Sequence, residues 1–172
     1  VDTFGVGERL ITSSSSPVFG GVYKLVAVEN EGGEIVPKIK VSENTAKITN
    51  PHFKKVYRYF DNESGKALAD ELCVYDEVVD SLNPHTIFDY NATWKTKTLT
   101  NFTAKELLVP IFKNGECVYE SPSIQEIAKY CKEQIDLLWD EVKRFENPHT
   151  YYVDLSKKLY EIKNILLNVY GV

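Results

Sequence analysis

The sequence predicts an α+β fold, and three observations carry that reading. Residues 22–120 alternate or run apolar in short stretches cut by turn residues, the pattern of strands. Asn114-Gly115 lies between two apolar runs, the strongest short-range hairpin signal. From Ser123 onward the apolar residues recur at helical spacing. At 172 residues the chain is one domain, or a domain with an appendage, and is long enough to bury a core without staples.

Residues 1–20 form a loop-rich opening: Phe4-Gly5-Val6-Gly7-Glu8-Arg9, then four serines up to Pro17 and Gly20-Gly21. Val22 to Val28 is rich in strand formers, Asn30-Glu31-Gly32-Gly33 is a turn, and Ile35 to Val41 resumes extended. Lys55 to Phe60 sets Val56, Arg58 and Phe60 against Tyr57 and Tyr59, which suits a strand with one wet face. Asp61 to Gly65 turns the chain, and Ala67 to Tyr75 is placed to pair back. Trp94 to Leu99 alternates again, and Pro110 puts its own strand at an edge or a bulge.

Ser123 and Glu126 form a capping box behind Pro122. Ile127, Cys131, Ile135, Leu138, Val142 and Phe145 then follow at spacings of 4, 4, 3, 4 and 3, a single stripe on a helix of about six turns. Asn147-Pro148 stops it. Asp154 is placed to cap a second helix carrying Leu155, Leu159, Ile162, Leu166 and Val169, with Gly171 at its end. The pair is expected to pack antiparallel through these stripes, a partner groove being the other use for them.

Composition excludes several classes. With 43% hydrophobic and 26% charged residues the chain is neither disordered nor collagenous, and no apolar run is long enough to span a bilayer. A net charge of −5 disfavours non-specific nucleic-acid binding. Cys73, Cys117 and Cys131 contain no CxxC pair and read as reduced thiols. His52, His85 and His149 each follow a proline, far apart, and read as loop histidines without a metal role. Asn62, Asn91 and Asn101 open N-x-[ST] sequons, but without a secretory signal at the start they are plain asparagines. The chain begins at Val1 and contains no methionine, so it is expected to be a piece of something longer.

Three groups are candidate sites. Gly5 and Gly7, one residue apart, let the backbone bring N–H groups close to an anion such as phosphate, or simply make a turn. The pattern lacks the third glycine of a dinucleotide fingerprint and the Lys-Ser/Thr of a P-loop. Lys24, Lys38, Lys40, Lys47, Lys54, Lys55 and Arg58 form a locally basic run that either binds phosphates or protects a solvated strand face. Tyr90, Trp94 and Phe102 among lysines and threonines fit single-strand stacking less well than a sheet core.

The string Asp2-Thr3-Phe4-Gly5-Val6-Gly7-Glu8-Arg9-Leu10-Ile11-Thr12, followed by Gly20-Gly21-Val22-Tyr23-Lys24-Leu25, resembles nicotinate phosphoribosyltransferases. Ile39-Lys40-Val41-Ser42, Lys47, Thr49, Pro51 and Lys55-Val56-Tyr57-Arg58 resemble the family's next block. Leu107-Leu108-Val109 through Asn114-Gly115, and Ser123-Ile124-Gln125-Glu126 through Trp139, resemble its C-terminal domain. The family often has Thr in place of Glu8, and His52 stands where a glycine is common.

The resemblance implies the C-terminal third of a cytoplasmic enzyme that joins nicotinate to 5-phosphoribosyl-1-pyrophosphate, giving nicotinate mononucleotide and pyrophosphate with ATP hydrolysis. Residues 1–20 would be the phosphate-loop end of an α/β barrel, 21–80 a β-rich segment, and 81–172 a C-terminal α+β domain of β-hairpin plus two helices. Gly5, Val6, Gly7 and Glu8 would hold a phosphate at the position barrels favour for it, with Lys24 as an anion contact. The catalytic histidine and the base-recognising arginines would lie upstream, leaving no catalytic residue and no metal ligand here. ATP and Mg²⁺, the N-terminal part of the enzyme and a second copy of the whole protein are the implied cofactors and partners; nucleic acid and membrane are not. The rival reading is a small α+β protein-interaction module without catalysis.

Overall fold

The computed structural model describes residues 2–12 and 20–170. The serine run before Pro17 and the expected helix end at Gly171 lie outside the described residues. Residues 2–7 are extended and exposed, and α1 (Glu8–Ile11) adds a single turn. No barrel strand occurs among the described residues of this opening stretch.

The first hairpin joins β1 (Ala27–Glu29) to β2 (Ile35–Pro37). Both strands are shorter than the sequence runs predict, and Pro37, which has no N–H for a ladder, ends the second. Asn30 organises the turn by accepting through Oδ1 from the N–H groups of Gly32 and Glu34 (3.0 and 2.9 Å), while Gly33 takes φ 80°.

The main sheet has the order β10-β4-β3-β7. Its centre is the antiparallel pair β3 (Lys54–Asp61) and β4 (Ala67–Val74), joined by the expected turn over 61–65. Flanked by β3 and β10 (Val153–Leu155), β4 also has a core cluster on each face, so it reads as a mostly apolar run rather than an alternation. On one face Tyr57, Tyr59, Ala69 and Cys73 form a core with Phe102 of β7 (Phe102–Glu106). The hairpin of β5 (His85–Phe88) and β6 (Thr96–Leu99) closes it with Ile87 and Leu99. On the other face Val74 packs with Leu155 and with Leu159 of α4 (Lys157–Val169). A small hairpin of β8 (Phe112–Lys113) and β9 (Glu116–Cys117) turns at Asn114-Gly115, both at positive φ, as the sequence predicts. Pro110 lies just outside it.

The helical part departs from expectation in three ways. The capping box forms: Ser123 Oγ accepts from the Glu126 N–H, and Glu126 Oε2 accepts from the Ser123 N–H at 2.7 Å. Yet α2 (Ile124–Asp136) stops well short of Phe145. Lys66 Nζ donates to the carbonyls of Asp136 (2.6 Å) and Leu138 (3.4 Å), and Ala67 N–H donates to that of Leu137 (2.9 Å). These bonds turn the chain onto the sheet, and α3 (Asp140–Lys143) restarts after the break. The cap of α4 is Ser156, not Asp154, because parallel pairing of β10 with β4 takes Asp154 into a strand. The two long helices also share no stripe: α4 lies on β4, while α2 buries none of its residues.

Candidate functional site

The phosphate-loop candidates sit at the exposed start of the chain. Phe4 is 78% exposed, and a Cβ built at Gly5 or Gly7 meets nothing within 4 Å. Neither glycine has a positive φ. Val6 is exposed, Glu8 opens α1, and the Gly7 carbonyl accepts from Leu10 N–H at 3.1 Å. Lys24 is exposed in the extended approach to β1.

The basic run does not converge. Lys38, Lys40 and Lys47 are exposed. Lys54 folds back, its Nζ donating to the carbonyls of Asn50, Pro51 and His52 at 2.8, 3.2 and 2.7 Å, and burial lowers its pKa. Lys55 leans over the Tyr57 ring towards Glu106. Arg58 clasps Asp70 with two bonds of 2.8 Å, which hold its charge on, and Tyr151 donates to the same carboxylate at 2.8 Å. Nor do the three aromatics gather: Phe102 is core, Trp94 is exposed, and Tyr90 lies against Lys163.

The structure concentrates its buried polar chemistry elsewhere. Two acids, Asp70 and Glu71, stand side by side in the apolar run of β4, one on each face. Glu71, only 2% exposed, accepts from the Tyr59 hydroxyl and pairs through Oε2 with His85 Nε2 at 2.9 Å. Cys73 Sγ lies 3.6 Å from the same oxygen. Burial, then the Glu71 charge, raises the pKa of both Tyr59 and Cys73 far above their ordinary values. Cys73 is therefore a closed, protonated thiol rather than a nucleophile. His85 is a strand residue with a carboxylate partner, not a loop histidine; Cys117 and Cys131 are exposed and free. Sequence reasoning passed over this network, although a pair of acids inside an apolar strand was its signal: such groups are buried only with partners.

Asp154 extends the line of acids. It pairs across β10 and β4 with Glu71 and shares its face. Burial, reinforced by Asp89 and Glu71, raises its pKa to about 6. Its carboxylate faces cavities whose walls include Asp89, Lys95 and Tyr152.

The chain matches the family model described as the nicotinate phosphoribosyltransferase C-terminal domain over residues 53–163. It is 40% identical to the nicotinate phosphoribosyltransferase of Bacillus subtilis (strain 168) over 163 residues, covering 95% of this chain and 33% of that protein. The corresponding enzyme of Caenorhabditis elegans is 33% identical over 168 residues, covering 96% and 29%. A solved structure, the human nicotinic acid phosphoribosyltransferase, superposes with a TM-score of 0.59 at 22% identity over 72% of this chain and 24% of that one, and shares the fold. The chain thus spans about a third of the length of the curated relatives it matches. A stand-alone interaction module is not favoured by these matches: the chain belongs to the nicotinate phosphoribosyltransferase family, in the part described as its C-terminal domain.

Proposed function

We propose that this chain serves as the C-terminal part of an enzyme that joins nicotinate to 5-phosphoribosyl-1-pyrophosphate, coupled to ATP hydrolysis, in the cytoplasm. The observation that carries the reading is family membership over nearly the whole chain. Residues 1–20 end the barrel, 21–80 form the β-rich segment that follows, and 81–172 complete the C-terminal domain. Gly5, Val6, Gly7 and Glu8 present backbone N–H groups to the donor's 5′-phosphate, and Lys24 adds a cation. In support, a Cβ built at Gly5 or Gly7 meets nothing within 4 Å, so the backbone there has open space beside it. Holding a phosphate that does not react orients the anomeric carbon for displacement, which is how remote binding helps such a reaction.

The residues that perform the displacement are assigned to the rest of the enzyme, which functions as a homodimer. ATP supplies the coupled hydrolysis and Mg²⁺ accompanies its phosphates. Among the described residues no group of three His, Cys, Asp or Glu side chains fits a metal, so Mg²⁺ is assigned no ligand here. The test supplies nicotinate, 5-phosphoribosyl-1-pyrophosphate, ATP and Mg²⁺ to this chain alone and to the longer protein containing it. Nicotinate mononucleotide is expected from the longer protein, at on the order of 1 per second or faster, and none from the chain alone. Turnover by the isolated chain, or none by the longer protein, overturns the proposal.

A further inference from the structure

Asp154 is a buried carboxylate without a partner. It is 5% exposed, and no hydrogen bond or ion pair to its side chain is found among the described residues; no side-chain oxygen among them is both fully enclosed and unbonded, so its carboxylate keeps contact with solvent through the cavities it lines. It lines two cavities of about 90 and 370 Å³, which share Asp89, Lys95, Tyr152 and Asp154 in their walls. A carboxylate that is poorly hydrated and has no protein donor is held less favourably than in bulk water, and a cation entering from the cavity would relieve it.

The surroundings choose the kind of cation. Asp89 is the second acid, and its only ion pair among the described residues, to Lys95 at 4.0 Å, is loose, the lysine side chain being 65% exposed. Lys97 lines the smaller cavity, but burial and the two neighbouring acids, not a lysine, govern the Asp154 carboxylate. Tyr90, Tyr151 and Tyr152 put three aromatic side chains among the residues that line the larger cavity. A divalent metal ion held by two carboxylates would keep most of its water shell and meet the ammonium groups of Lys95 and Lys97 in the smaller cavity, and among the described residues no group of three His, Cys, Asp or Glu side chains is gathered to displace that water. A guanidinium suits the site better: it is planar, weakly hydrated, forks onto carboxylates and stacks on aromatic rings.

We propose that the cleft between β10 and the β5–β6 hairpin is a guanidinium-binding site, with Asp154 as its buried anchor and Asp89 as its second carboxylate. The group is carried either by a small cation or by an arginine side chain of a polypeptide. The site is separate from the phosphate loop and its test involves no turnover.

The test is amide chemical-shift mapping on the 172-residue chain titrated with methylguanidinium, with a doubly capped arginine, and with Mg²⁺. Saturable shifts confined to residues around 87–97 and 150–155 are expected, with a dissociation constant on the order of 1 mM. Equal binding of the two guanidinium probes assigns the site to small cations; clear preference for capped arginine assigns it to a polypeptide arginine. Asp154→Asn, which keeps the shape and removes the charge, is expected to weaken binding at least tenfold. Should that variant not fold, Lys95→Met serves instead, and by removing the competing ammonium it is expected to tighten binding. No saturable shift with either guanidinium, binding unchanged by Asp154→Asn, weaker binding in Lys95→Met, or preference for Mg²⁺ overturns the proposal.

Discussion

Asp154 and Glu71 are cross-strand partners on one face of the sheet, and only Glu71 is provided for. Tyr59 and His85 both converge on a single Glu71 oxygen. Asp154 has instead the cavity in front of it and two acids beside it. The sheet therefore carries, a strand apart, one carboxylate bonded by protein groups and one left to the cavity.

That asymmetry predicts a pH dependence of stability. The folded protein raises the Asp154 pKa from 3.8 to about 6, so it holds a proton that the unfolded chain has released. Below pH 3.8 both states are protonated and the group contributes nothing. As pH rises towards 6 the fold loses stability, by about 3 kcal/mol in all for a shift of this size. Asp154→Asn should abolish that loss and be the more stable protein at pH 7. Urea unfolding of both proteins at pH 4 and pH 7 measures it; a difference that does not change with pH refutes the assignment.

A second prediction concerns His52, at φ 77° in the left-handed region. Its ring Nδ1 accepts from the Phe53 N–H at 3.0 Å, while Lys54 bonds the carbonyls on either side of the bend. A glycine, common in the family at this place, adopts such a φ without strain; an alanine does not. His52→Gly should therefore be more stable than His52→Ala by about 1 kcal/mol, read from their urea midpoints. Equal midpoints would mean that the bend carries no strain.

The strands and turns were legible because their signals are local. Asn114-Gly115, the 61–65 turn and the alternation around Tyr57 and Tyr59 need no knowledge of the rest of the chain. The start of α2 at the Ser123 capping box was legible in the same way; where α2 ends and where α4 begins was not, because remote groups decide it. Lys66, distant in sequence, takes the carbonyls that end α2, and pairing with β4 recruits Asp154 away from the cap role. The Glu71 network was hidden for the same reason, since Tyr59, Glu71 and His85 meet only once β3, β4 and β5 are assembled. The assignment of a phosphate to Gly5 to Glu8 is the reverse case, a proposal that rests on likeness to a family and not on local physics.

A third prediction concerns the surface. The chain exposes 13308 Å², where a compact monomer of this mass exposes about 8,600 Å². Ile124, Ile127 and Ile135 of α2 and Val22, Tyr23 and Leu25 before β1 are among the exposed apolar residues. Patches of this kind are normally covered. The isolated chain should self-associate at high micromolar concentration in sedimentation. Ile124→Lys with Ile127→Lys should shift it towards monomer without moving the unfolding midpoint, because neither side chain is in the core. A clean monomer before substitution would count against this.

The last prediction tests the phosphate loop in the longer enzyme. Gly7→Val is a clean variant: a Cβ at that position meets nothing within 4 Å and the glycine has no positive φ, so the chain folds as before. What the branched side chain does occupy is the space a phosphate would need to reach the backbone N–H groups. Losing one or two charge-assisted hydrogen bonds of about 1.5–3 kcal/mol each predicts at least a tenfold loss of affinity for 5-phosphoribosyl-1-pyrophosphate. Affinity for nicotinate should change much less, since its recognition is assigned elsewhere. Glu8→Thr makes the opposite bet, because removing a carboxylate beside a bound phosphate should leave donor affinity equal or better. Calorimetric titration of the donor into the three proteins decides between the readings. If Gly7→Val binds the donor as tightly as the parent, the Gly5 to Glu8 stretch is only a turn, and the phosphate must be held by residues outside it.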